Sequence, residues 1–124
     1  WEFGVFNRPW VMPSYEFDRH HSQNLLTNSS LMRRSVWESV KDLNGHGYMP
    51  DTPMEDWLFW LQASHLGFRL MHVGDTVLEY RRTASSRVDQ DQLQPARKII
   101  GMEMLRHFSG CRACQWNFRS FSST

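Results

Sequence analysis

Two acids stand side by side at Glu55 and Asp56, directly ahead of the apolar run Trp57-Leu58-Phe59-Trp60-Leu61. Burying a charged side chain is costly unless it meets a partner or faces a cleft, so acids at the front of such a run invite a chemical use. Glu55 has a structural task available. Thr52-Pro53-Met54-Glu55 has the form of a capping box, with Thr52 as N-cap, Pro53 at the first helical position and Glu55 reaching back from the third. Asp56 points about 100° further round the helix, so one capping interaction cannot use both acids. A carboxylate set in a cleft at a helix N-terminus suits a general base, a role worth roughly 10² to 10⁴ in rate. The alternative for Asp56 is a solvated first-turn acid.

Other residues have metal-binding or modification chemistry. Cys111-x-x-Cys114, with His107 four residues before the first Cys, offers three zinc ligands, one short of the four that a structural site needs, so two reduced thiols are the plainer reading. His20-His21 falls in a polar stretch and reads as a solvated pair. Asn28-Ser29-Ser30 fits the glycosylation acceptor pattern, which is without use in a cytoplasmic chain. Arg33-Arg34 and Arg81-Arg82 are isolated basic pairs, not the basic stripe that nucleic acid requires.

The elements that must position these groups follow from periodicity. Residues 1–6 and 10–17 read as two strands joined at Asn7-Arg8-Pro9, and residues 18–23 as a turn. After an extended run over 29–33, Ser35-Val36-Trp37-Glu38 forms a second capping box, opening a helix that stops at Asn44-Gly45. A loop over 45–51 leads to the Glu-Asp helix, which ends at Gly67. Its stripe Met54, Trp57, Leu58 and Leu61, with Phe59 and Trp60 on other sides, predicts a central helix covered on more than one face. Residues 68–73 and 76–81 read as strands around the tight turn Gly74-Asp75. A last helix over 95–108 carries Ala96, Ile100, Met104 and Phe108 at spacings of four, and the tail 109–124 has no clear period.

With 124 residues the chain is one domain or part of one. Its 14 Lys and Arg against 13 Asp and Glu are spread through the sequence, which turns attention from nucleic acid to small or neutral partners. Six Trp suit either a dense core or a surface that stacks on sugar rings. Two Cys, no apolar run of about 20 residues and no signal-peptide pattern set the expectation of a soluble, cytoplasmic protein. A chain that starts at Trp1 and enters at once an alternating segment is read as part of a longer one.

In order and spacing, several of these pieces resemble the back half of the family-2 glycosyltransferases. They are Asn24 through Arg34, the Trp37-Glu38 helix, Glu55-Asp56-Trp57, Gly67-Phe68-Arg69 and Tyr80-Arg81, and the likeness spans residues 15–86. It implies an α/β fold of the GT-A type, a Rossmann-like mixed sheet with flanking helices, of which residues 1–108 are the acceptor-side half and 109–124 a tail. It implies inverting transfer from a nucleotide-sugar donor to the hydroxyl of a glycan or lipid-linked acceptor, in the cytoplasm or at the inner face of a membrane. Asp56 is then the catalytic base, Glu55, Trp57 and Trp60 shape the acceptor site, and Arg81 faces the diphosphate. The family's Asp-x-Asp, which holds Mg or Mn, belongs upstream of this segment, and Asp89-Gln90-Asp91 lies in the wrong place to replace it. Thr83 stands where many relatives carry a His, and Asp42-Leu43-Asn44-Gly45 where they carry Gly-Gly. The alternative is a non-catalytic carbohydrate-binding or interaction module that keeps the acceptor-side shape; a third reading is a zinc module built on the Cys pair.

Overall fold

The protein is described by a computed structural model over residues 13–26, 29–73 and 93–119. Five helices occur there: α1 (Phe17–His20), α2 (Arg34–Asn44), α3 (Glu55–His65), α4 (Leu93–His107) and α5 (Arg112–Phe118). No strand is present among the described residues, so the expected α/β sheet of GT-A type is corrected to an all-helical arrangement there. The segment 68–73 shows why alternation misled. Phe68 and Leu70 do turn toward a core while Arg69 and Met71 are exposed, but a strand exists only where a second strand completes its hydrogen-bond ladder, and none does so among the described residues. The run 29–33 is likewise irregular; the strands expected at 1–6 and 76–81, and all of 10–17 before residue 13, lie outside the described residues.

α3 is the centre. Seven consecutive residues, Trp57 through Ala63, are buried, as an apolar helix covered on several sides requires. One face packs Trp57, Leu58 and Leu61 against Ala96, Ile100 and Met104 of α4 and Cys114 and Phe118 of α5. The other packs Phe59, Trp60 and Ala63 against Val36 and Val40 of α2, with Trp37, Tyr48 and Phe68 at the margin. Each large apolar side chain buried in this way contributes about 1.5–3 kcal/mol. The spacing-of-four stripe of α4 is thus its core face. α5, in the stretch without clear period, joins the same core through Cys114 and Phe118, four residues apart.

Neither capping box forms. α2 begins one residue before Ser35, with an extended Arg33 as N-cap and no side-chain cap. α3 begins at Glu55 after Met54, which adopts left-handed φ 56° and ψ 48°; Thr52 is buried and donates its hydroxyl to the Pro50 carbonyl at 3.3 Å. The glycine stop holds: Gly45 at φ 84° closes α2 through its N–H to the Lys41 carbonyl at 2.7 Å. The loop that follows is tied down by Asn44. Its Oδ1 accepts from the N–H groups of His46 and Gly47, both at 2.7 Å, and its Nδ2 donates to the Gly47 carbonyl at 2.8 Å and to Gln62 Oε1 at 2.7 Å. That network fastens the loop to the middle of α3.

Candidate functional site

Asp56 sits in the first turn of α3, half-buried, and the Asn24 side-chain amide donates to its Oδ2 at 3.4 Å. Burial pushes its carboxyl above the usual range and the neighbouring Glu55 adds to the rise, while the Asn24 amide and the Trp57 N–H pull the other way. The phenol of Tyr48 is raised too, by burial first and then by the charges of Asp56 and Glu55. Tyr48, Glu55 and Asp56 therefore form one electrostatic group, fed by the loop before α3 and by the segment that carries Asn24. An open depression of about 490 Å³ adjoins it, lined by Tyr48, Met49, Asp51, Thr52 and Glu55 among others; Glu55 edges it and Asp56 does not. Asp51 and Met54 both take left-handed backbone, a conformation that costs a non-glycine residue about 1–2 kcal/mol.

The aromatic residues expected at the acceptor lie elsewhere. Trp57 is 0% exposed and Trp60 2%, one in each core, so neither offers a face for a sugar. Their apolar area is worth more inside than at a surface, and Trp57 also satisfies its indole N–H by donating to the His20 carbonyl at 2.7 Å. Glu55 is not the partner of Thr52 in a cap, since α3 starts at Glu55 itself. Arg81 lies outside the described residues.

A second constellation appears that spacing did not reveal. His21, His65, Cys111 and Cys114 bring one ligand atom each to a common centre, all within 4.8 Å of one another. His21 Nε2 lies 2.8 Å from His65 Nε2, and His65 Nε2 lies 3.9 Å from Cys111 Sγ and 3.6 Å from Cys114 Sγ. His107, expected beside the Cys pair, instead faces Glu103 at 3.7 Å and is not part of the group. His20 and His21, expected in a solvated turn, are both fully buried around α1. Burial keeps these rings neutral: His20 is brought down to about 3 and His65 to about 4, His21 moves in the same direction, and the Cys114 thiol is pushed up to about 12. Only the Cys-x-x-Cys was legible in the sequence. His65 stands 44 residues from His21 and 46 from Cys111, so no local pattern joins them.

Comparison of the chain with protein families, curated proteins and solved structures finds no match. No helix among the described residues is long and apolar enough to cross a membrane.

Proposed function

We propose that the chain is the acceptor-side part of an inverting glycosyltransferase, with Asp56 as its general base. The observation that carries this reading is the pairing of Asn24 with Asp56, two residues of the motif series separated by 32 positions that meet at the front of α3. It stands on that carboxylate and its partners, independently of the expected architecture. A carboxyl raised by burial is a stronger base than a solvated one. Asp56 takes the proton of the acceptor hydroxyl as its oxygen attacks the anomeric carbon, and the bond to the nucleoside diphosphate breaks on the opposite face. The acceptor, a glycan or a lipid-linked sugar, enters over the depression edged by Glu55 and Tyr48. Arg81 keeps the diphosphate role that the resemblance gives it, and the donor half with its divalent cation belongs to other parts of the protein. Cys111 and Cys114, which are not joined in a disulfide, fit work in the reducing cytoplasm, at the inner face of a membrane where lipid-linked acceptors reside.

The test is a transfer assay on the protein as its gene encodes it, reading nucleoside diphosphate released from UDP-, GDP- and dTDP-sugars across a panel of glycan acceptors. Asp56→Asn is expected to lower kcat by roughly 10² to 10⁴ while acceptor affinity is retained. No release from any of these donors, or undiminished release by the variant, would overturn the reading.

A further inference from the structure

Four ligand atoms of the zinc-preferring kind converge at one point from three separate parts of the chain. His21 caps the C-terminus of α1, His65 is the last residue of α3, Cys111 is the N-cap of α5 and Cys114 lies in its first turn. A zinc ion with bonds of about 2.3 Å to sulfur and about 2.0–2.1 Å to nitrogen needs its tetrahedral ligands about 3.3–3.8 Å apart. The sulfur-to-nitrogen separations of 3.6 and 3.9 Å lie within or about 0.1 Å beyond that range, the 2.8 Å between the imidazoles has to open by about half an ångström, and the widest separation in the group, at most 4.8 Å, has to close by about one. We propose that His21, His65, Cys111 and Cys114 bind a structural zinc ion.

The protonation state of His21 is set for this. Its Nδ1 lies 2.8 Å from the Phe17 carbonyl and 3.3 Å from the Asp18 carbonyl, both acceptors, so Nδ1 carries the hydrogen. In a neutral ring that leaves Nε2 with a bare lone pair aimed at the centre, the arrangement by which an outer carbonyl orients a metal-bound histidine. Two thiolates and two neutral imidazoles also balance the charge of a divalent cation, so the filled site is neutral and cheap to bury. Zinc takes cysteine as thiolate, so binding at the pair would release thiol protons.

The surroundings are those of a closed site. Phe17 lies 4.9 Å from both imidazole rings and Phe108 4.6 Å from that of His65, forming an apolar wall, and His21 and Cys114 are fully buried. Four protein ligands leave no position for substrate, which marks a structural rather than catalytic ion. Mixed nitrogen and sulfur donors disfavour Mg and Ca, which take oxygen. The ion would fasten the one-turn α1 and the short α5 to the end of α3. It would also fix the segment three residues before Asn24, the partner of Asp56, although the site stands whether or not that acid is a catalytic base.

The experiment measures metal in the full chain purified from zinc-supplemented culture without a histidine tag. About one zinc per chain is expected. Replacement by Co²⁺ should give the intense visible bands of a four-coordinate ion together with thiolate-to-metal charge transfer. His65→Gln should weaken binding by more than about 100-fold, beyond the cost of an outer-shell change, whereas His107→Gln should leave affinity unchanged. The cobalt spectrum of the unaltered protein decides the matter even where a ligand variant fails to fold. Less than a tenth of a zinc per chain, a cobalt spectrum without thiolate charge transfer, or equal affinity in His65→Gln would overturn the proposal.

Discussion

Two glycines in the loop between α2 and α3 share almost the same backbone angle, φ 84° at Gly45 and φ 83° at Gly47, yet differ in surroundings. A methyl group at position 45 meets nothing within 4 Å, whereas at position 47 it would lie 2.6 and 2.7 Å from Cζ3 and Cζ2 of the Trp37 indole. Trp37 cannot readily withdraw: it stacks on Phe59 with centroids 5.6 Å apart and touches Tyr48 at 5.3 Å. Gly45→Ala therefore carries the left-handed penalty alone, about 1–2 kcal/mol. Gly47→Ala adds overpacking, typically about 1–3 kcal/mol, and so is expected to cost about 2–5 kcal/mol in all. Urea unfolding of both variants beside the parent, followed by tryptophan fluorescence under one buffer and metal condition, gives the comparison directly. Because the φ values match, the difference between the variants isolates the contact with Trp37. Equal costs, or a greater cost at position 45, would show that Trp37 does not rest on Gly47 and that the loop leading to Asp56 is packed differently.

Asp56→Asn has a second, pH-dependent signature. The folded carboxyl titrates above its unfolded value, so the folded state holds its proton longer and the parent loses stability as pH rises from the unfolded pKa through the folded one. The variant lacks that loss, so its stability relative to the parent should climb across this window and then level off; pH-dependent denaturation curves that keep a constant gap would contradict the burial assigned to Asp56. Trp57→Phe should cost about 1–3 kcal/mol by leaving the His20 carbonyl without its buried donor, read as a lower thermal midpoint with the helical far-UV circular dichroism preserved. A change below about 0.3 kcal/mol would mean that this hydrogen bond is not made.

Three of the five described helices, α2, α3 and α4, were legible, whereas α1 and α5 were not. Ala96, Ile100 and Met104 announce α4 through a repeat of four, and all three are fully buried. Trp57, Leu58 and Leu61 against Phe59 and Trp60 foretold a helix covered on two faces. Helix starts read less well. Ser35 and Thr52 have the composition of caps, but the first helical residue depends on how the preceding chain arrives, and in both cases an uncapped neighbour, Arg33 or Met54, makes the turn. The alternation at 68–73 reported which side chains face a core without reporting whether a partner strand exists.

The candidate sites divide in the same way. Sequence alone singled out Asp56 beside Glu55 and the Cys111-Cys114 pair, because spacing over three or four residues fixes which groups share a helix turn. Only the tertiary structure decided that Asn24 would hold Asp56, that Trp57 and Trp60 would be core, and that His21 and His65 would complete a four-ligand centre in place of His107. The physical reason is range. A helical repeat is a local property, written within a few residues. The meeting of α1, α3 and α5 depends on how helices pack around Trp57 and Phe118, which no spacing along the chain encodes.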